Sequence, residues 1–426
     1  MLHSIQSEEH GAHGKEMADA VSTCVHCGFC LAACPTYQQL GQEADSPRGR
    51  IVLMKEVLEG KMEIDDALPH LDACLGCLAC EPACPSGVPY RDLISPFRAK
   101  VEPQRKRSLF NRLQRTLTQA TLPYPNRFRM AAKTGGLAKL FSRLLPASFR
   151  VMLDLLPDQL PKAQTWKTFY SAEEQTGEPP RARVALLTGC AQSVLDPDIN
   201  TATIQVLNHC GVDVVIPPAQ SCCGALSWHV GNLKQAQHFA RQNLSAFPSD
   251  VDAIVTNAAG CGSGMDEYPL ILKGTEDEGR AESFSELVCD VSEFLHRLGD
   301  LPEVTDSGSK QTVAYHDACH LANAQGVKAQ PRALLRMIPG LAVAEVADAH
   351  LCCGSAGTYN LDQPDVANEL GRQKAGNLLA TNPDVIATGN IGCMTQLKNQ
   401  LAARLSDIPV RHTMQVLRDA YMNRPQ

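Results

Sequence analysis

Eight of the eighteen cysteines fall in two short runs, CVHCGFCLAACP at 24–35 and CLGCLACEPACP at 74–85, both reading C-x2-C-x2-C-x3-C-P. A cubane iron–sulfur cluster needs a thiolate at each of its four corners. A CxxCxxC loop can wrap three of them and turn backbone N–H groups toward the sulfurs, so the fourth must come from elsewhere. Zinc fits this pattern poorly, because it takes four ligands, usually as two separated pairs. A disulfide framework needs an oxidising compartment. The opening segment MLHSIQSEEHGAHGKEMADAV is polar with no apolar core, which predicts no signal peptide, a cytoplasmic location and reduced thiols free to bind iron.

The two runs resemble those of ferredoxins that carry two [4Fe–4S] clusters, in which the fourth Cys of each run reaches across to the other cluster. The resemblance implies Cys24, Cys27, Cys30 and Cys84 on one cluster, and Cys74, Cys77, Cys80 and Cys34 on the other. The elements between the runs must hold them apart. Ser46 can cap a helix with Pro47 at its first position, Ile51 to Leu58 supply apolar residues, and Gly60 ends it. A second short helix is expected to lead into Cys74. The first domain thus reads as an α-helical ferredoxin, similar to the two-cluster domain of iron–sulfur subunits of respiratory dehydrogenases.

Beyond the linker AEEQTGEPPRAR the chain alternates β-branched runs with amphipathic helices, the pattern of a parallel α/β fold. Strands are expected at Val184–Leu187, Val212–Ile216 and Ala253–Thr256, with helices near 198–210 and 231–247. The pattern then repeats: VALLTGC is answered by VAYHDAC, SCCGALSWHVG by LCCGSAGTYNL, and DAIVTNAAGC by DVIATGNIGC. Matching cysteines are displaced by 129 (Cys190, Cys319), 130 (Cys222, Cys352) and 132 (Cys261, Cys393) residues, which indicates a duplicated domain. In an open parallel sheet the loops beyond the strand carboxyl ends lie side by side. Cys190, Cys222, Cys223 and Cys261 should therefore converge on one crevice, and Cys319, Cys352, Cys353 and Cys393 on another.

The repeats resemble the cysteine-rich CCG domain, found twice in heterodisulfide reductase subunits and in iron–sulfur subunits of glycolate oxidase, anaerobic glycerol-3-phosphate dehydrogenase and lactate-utilisation systems. The resemblance rests on CVHCGFC, CPTYQQLG, SPRGRI, HLCCGSAGTY (350–359) and NIGC (390–393), and is greatest to the glycolate oxidase type. It implies an electron-transfer subunit that takes electrons from a partner FAD-binding subunit oxidising glycolate to glyoxylate and passes them to a quinone or other acceptor. Lactate or glycerol 3-phosphate as the partner's substrate, and thiol–disulfide catalysis at the CCG motifs, are the alternatives. The fullest CCG pattern ends each repeat in CxxC, and this chain departs from it with Gly264 and Gln396 at the last position. The remaining four thiols per repeat could hold an iron–sulfur cluster, a zinc ion or nothing, with His316, His320 and His350 as further ligands or hydrogen-bond donors. Cys210, at a helix end before Gly211, and Cys289, in an expected helix FSELVCDVSEFLHRL, read as small core residues, and Trp228 and Tyr359 as packing residues after the CCG motifs.

The chain of 426 residues divides into a ferredoxin domain (1–100), a basic helical linker (101–180) and two CCG domains (181–305 and 306–426). Positions 103–150 hold eleven Lys and Arg and no acidic residue, leaving −18 on the rest of a chain whose net charge is −7. A solvated helical face is the ordinary meaning of such a run; its apolar stripes, such as LAKLFSRLLPASFRVML, also suit docking on an acidic partner or peripherally on the inner face of the cell membrane. Nucleic acid is excluded, for no aromatic stacking platform accompanies the charge. No GxGxxG follows an expected strand, so flavin and nicotinamide belong to another chain. The first 90 residues are expected to need iron to order, and the CCG domains to fold without it.

Overall fold

A computed structural model describes residues 1–139, 153, 156–157, 159–306 and 308–422. The amino-terminal region is helical. Its central helix, Pro47–Leu58, starts where Ser46 Oγ accepts a hydrogen bond from Gly49 N (3.0 Å) with Pro47 at the first position, and is followed by Ile64–Asp72 leading into Cys74. Met17, Val21, Met54, Leu71, Leu93 and Phe97 form the core around which these helices and Arg91–Val101 pack.

Two sheets follow. The first has the order β1-β3-β2-β4-β5: Phe169–Tyr170 (β1), Ala182–Leu187 (β2), Val212–Val215 (β3), Ala253–Thr256 (β4) and Val288–Asp290 (β5). All neighbours are parallel except the short edge strand β1, which pairs antiparallel with β3. The second, β7-β6-β8-β9, is wholly parallel and comprises Gln311–Tyr315 (β6), Leu341–Ala344 (β7), Val385–Thr388 (β8) and Val410–His412 (β9). Within each repeat the strands therefore run second-first-third-fourth. This is a doubly wound arrangement whose switch point lies between the first strand and its two neighbours. Buried hydrophobic runs such as VALL (184–187) and AIVT (253–256) suit strands covered on both faces.

Cys289 departs from the sequence-based expectation, since it lies in β5 and not in a helix. The strand ends at Asp290, whose carboxylate accepts from Ser292 N (2.7 Å) and so starts a separate helix, Val291–Leu298, after the strand.

Each repeat has a cluster of its own on one face of its sheet, around Phe239 and Tyr268 in the first and around Leu378 and Leu397 in the second, and the other faces share a core. Val184, Leu186 and Val255 of the first sheet and Val313, Tyr315 and Val385 of the second belong to one buried cluster, together with Leu207, Leu295, Leu334 and Leu417. The packing is reciprocal: Asp198–His209 of the first repeat meets Thr413–Tyr421 of the second, and Val291–Leu298 meets Ala329–Arg336. This is the internal counterpart of a two-fold interface, in which equivalent elements exchange contacts. Ala259 N also donates to Gly389 O (3.0 Å) across the boundary.

In the basic segment, Leu109–Thr121 and Pro125–Ala138 are helices. Most of LAKLFSRLLPASFRVML lies outside the described residues.

Candidate iron–sulfur and cysteine sites

The two CxxCxxC loops share a backbone trick. His26 and Gly28 in the first, and Gly76 and Leu78 in the second, all have left-handed φ (60°, 87°, 65° and 57°) at the same two places of the run. For His26 and Leu78 this conformation is costly and persists only where the surroundings demand it. Left-handed residues inside a tight loop turn successive N–H groups toward one centre, an anion-binding concavity. Gly76 N accordingly points at Cys74 Sγ (3.4 Å).

Cys24, Cys27, Cys30 and Cys84 line one pocket, whose wall Cys80 also reaches. Burial holds the Cys30 thiol above its usual range, with Cys24 and Cys84 as its cysteine neighbours. Cys34 instead lies among the second run: burial pushes Cys77 and Cys80 well up, and Cys74 and Cys34 face both. So the fourth cysteine of each run stands with the first three of the other.

The two groups differ in setting. Cys27 is exposed, flanked by exposed Val25 and Phe29, whereas Cys34, Cys74 and Cys77 are buried. Around the buried group the chain supplies positive charge that the sequence did not single out. Arg50, almost wholly buried, donates to Thr36 Oγ1 (3.0 Å) and the His70 carbonyl (2.7 Å) and approaches Cys34 Sγ (3.7 Å). Arg98 Nη2 donates to the carbonyls of Leu71 (2.9 Å) and Cys74 (2.7 Å). Burial opposes ionisation of Cys74, but Arg50 and Arg98 outweigh it and bring its thiol below the usual range. Four thiolates with the buried Arg50 and half-buried Arg98 guanidiniums beside them and inward N–H groups fit an anionic cubane. The segment SPRGR was visible as a motif; that its second Arg turns inward was not.

In the first repeat, Cys190 follows β2, Cys222 and Cys223 follow β3, and Cys261 opens the helix Ala259–Asp266 after β4. Their thiols form a chain: Cys190 Sγ to Cys222 Sγ at 3.5 Å, then Cys222 to Cys223 and Cys223 to Cys261. In the second repeat Cys352 Sγ lies 3.9 Å from Cys319 Sγ, and Cys353 meets Cys352 and Cys393. Here the repeats diverge. His316 stands where the first repeat has Leu187, and one of its ring nitrogens lies with Cys353 Sγ and Cys393 Sγ within 4.8 Å of one another. Both nitrogens are buried without a hydrogen-bond partner, and burial, helped by Lys374, holds the imidazole well below its ordinary pKa. A neutral, orphaned imidazole between two thiols is a donor set for a soft metal.

His320 turns elsewhere: Nδ1 meets Ser263 Oγ at 2.9 Å, its ring packs against His229 at 5.1 Å, and burial followed by Arg91 lowers its pKa to about 4. His350 is exposed. Trp228 is fully buried, donating to Glu267 Oε2 (2.6 Å), and Tyr359 OH donates to the Ala73 carbonyl (3.0 Å). Tyr359 thereby ties the second CCG loop to the second ferredoxin run. Asn323 Nδ2 donates to the Cys77 carbonyl (3.1 Å), and Leu75, Cys77 and Ala79 pack on Leu351 and Cys352. The buried ferredoxin cysteines thus abut the second repeat, with Cys77 facing both Cys319 and Cys352.

Part of the basic segment faces inward. Arg105 pairs with Asp72, while Arg107 and Arg115 share Glu102 (2.7 and 3.1 Å). Together with Arg98, His229 and His320 they line a pocket whose wall includes Cys74 and Tyr359.

The 4Fe–4S dicluster domain matches residues 20–88, and the cysteine-rich domain matches 184–266 and again 313–398. A "Probable glycolate oxidase iron-sulfur subunit" of Bacillus subtilis is 39% identical over 391 residues, 88% of each chain. The "Glycolate oxidase iron-sulfur subunit" of Escherichia coli is 38% identical over 418 residues, 96% of each chain. Lactate utilization protein A of Oceanobacillus iheyensis is 29% identical over 238 residues, 55% of this chain and 96% of that one. With a helical dicluster domain ahead of two parallel-sheet cysteine-rich domains, and this similarity along nearly its whole length, the chain belongs to the family of glycolate oxidase iron–sulfur subunits, electron-transfer proteins of an oxidoreductase.

Proposed function

We propose that this chain passes electrons from FAD on a partner subunit that oxidises glycolate to glyoxylate toward a quinone or other acceptor. The proposed ligand sets are Cys24, Cys27, Cys30 and Cys84 for one [4Fe–4S] cluster and Cys74, Cys77, Cys80 and Cys34 for the other. The observation that carries this reading is the crossed grouping of thiols, with Cys84 in the pocket of the first run and Cys34 beside the second. Such clusters supply one-electron redox chemistry. A hydroxy acid releases two electrons together, so two carriers in series allow a flavin to be emptied stepwise.

The chain's own residues give the path a direction. Exposed Val25, Cys27 and Phe29 offer an apolar face where a flavoprotein can approach the first set closely. The second set is shielded from solvent and adjoins the second repeat, with Arg50 and Arg98 favouring negative charge there. We place a third metal centre at the second repeat, on Cys353, Cys393 and His316 with Cys319 and Cys352 beside them. The first repeat, with Cys190, Cys222, Cys223 and Cys261, has the thiols but no imidazole.

Cys77→Ser tests the wire. In the purified complex, dye or quinone reduction should be lost while glycolate still bleaches the flavin; full turnover of the variant would refute the reading. Thiol–disulfide catalysis is favoured by one observation, the contact of Cys190 with Cys222. It would gain from iron above about eight atoms per chain together with reduction of a disulfide substrate. Lactate or glycerol 3-phosphate in place of glycolate would appear as bleaching of the partner's flavin by those acids.

A further inference from the structure

We propose that the helix Leu109–Thr121 docks the protein on an anionic lipid surface. The helix is inside out. Its protein-facing side is polar: Gln114 and Thr118 are 5% and 2% exposed, Arg115 Nη2 donates to the Val230 carbonyl (2.8 Å), and Gln119 accepts from Asn232 Nδ2 at its side-chain oxygen and from Gln235 Nε2 at its carbonyl. Leu109, Leu113 and Leu117, spaced by four, point outward at 84%, 60% and 39% exposure. Met130 of the next helix is exposed as well. A helix that ends its folding in water turns its apolar stripe to the core. Leucines left outside forgo the favourable burial of their apolar surface, so this face is built to be covered.

Charge identifies what covers it. Lys106, Arg112 and Lys133 are exposed on these two helices and the turn before them, and none makes an ion pair among the described residues, while exposed Arg127 lies over the Tyr124 ring. No acidic residue occurs between 103 and 150. Leucines on one face with unpaired cations around them is the pattern of a helix lying in a lipid interface. Anionic headgroups attract each such cation. A flavoprotein has a different apolar face to occupy, at Val25 and Phe29 beside exposed Cys27. No helix among the described residues is long and apolar enough to cross a membrane, so the contact is peripheral. The proposal concerns where the protein sits and stands whichever acid the partner oxidises.

Flotation of the purified, iron-loaded protein with vesicles of phosphatidylcholine alone, or mixed with phosphatidylglycerol, tests it. Binding should need the anionic lipid and weaken with salt. L113E/L117E should abolish it with iron content unchanged. R112Q/K133Q should weaken it about 25-fold, each cation contributing a factor of roughly five. Equal binding to neutral vesicles, binding to neither, or retention by L113E/L117E would overturn the proposal. So would loss of flavoprotein co-purification in L113E/L117E when the unaltered protein ignores vesicles, since the face would then belong to a protein partner.

Discussion

The cysteines of this chain differ more in their neighbours than in their spacing. Cys30 and Cys77 occupy offset positions of one motif, yet one lies in a pocket open to the surface and the other against a second domain. Crossed ligation makes a direct prediction. Cys84→Ser should remove the electron paramagnetic resonance signal of the surface cluster and about half the iron while sparing the buried one, and Cys34→Ser should do the reverse. Loss of the same signal in both variants would exclude the crossing. His412 gives a titration prediction. Burial lowers its pKa to about 4, and its Nδ1 accepts from Met414 N (3.1 Å) to cap the last helix. Because the folded pKa lies below the unfolded one, its contribution is complete above about pH 6.5 and is lost as pH falls toward 4. Denaturation midpoints for His412→Asn, which can still cap, should therefore fall less steeply over that window than those of the unaltered protein.

At the scale of elements, the CCG motif is a device for joining strand to helix at the switch point. Gly224 and Gly354 both follow the paired cysteines with left-handed φ, 82° and 83°. Each is pressed against the longer helix beyond the motif, Leu233–Ala246 in the first repeat and Pro364–Leu379 in the second. A Cβ would lie 3.3 Å from the Ala236 carbonyl oxygen in the first repeat and 2.5 Å from that of Ala367 in the second. Alanine at either position bears the left-handed cost of about 1–2 kcal/mol. Gly354→Ala adds a clash with backbone, so it should lower the melting temperature more than Gly224→Ala and also displace Cys353 from His316. Equal melting temperatures for the two variants would show that the second loop can yield.

For the whole molecule the shared core decides cooperativity. Leu417, fully buried, belongs by sequence to the second repeat but packs in a cluster containing Val184, Leu186 and Leu207 of the first. Leu417→Ala should cost about 2–5 kcal/mol, and both repeats should unfold in one transition by circular dichroism and by fluorescence of Trp228. Two separated transitions would show that the repeats fold as independent domains. Iron removal should act on the other end, loosening the first hundred residues first, because those helices are short and their loops close around metal.

Cysteine spacing, the 129- to 132-residue displacement and the alternation of β-branched runs with helices made the ferredoxin region, the duplication and most strands legible in the sequence. These are local or periodic signals, and local signals survive without coordinates. The capping of Pro47–Leu58 by Ser46 is of this kind, whereas Cys289 was misplaced because a three-residue strand is too short to interrupt a helical pattern. What surrounds each site was decided by tertiary structure alone. Arg50 and Arg98 beside the buried cysteines, His316 between Cys353 and Cys393, the abutment of Cys77 on the second repeat and the inverted helix at Leu109 all join residues far apart in the chain or depend on which face turns inward. Spacing fixes which thiols can share a loop; only packing fixes which charge, imidazole or surface meets them.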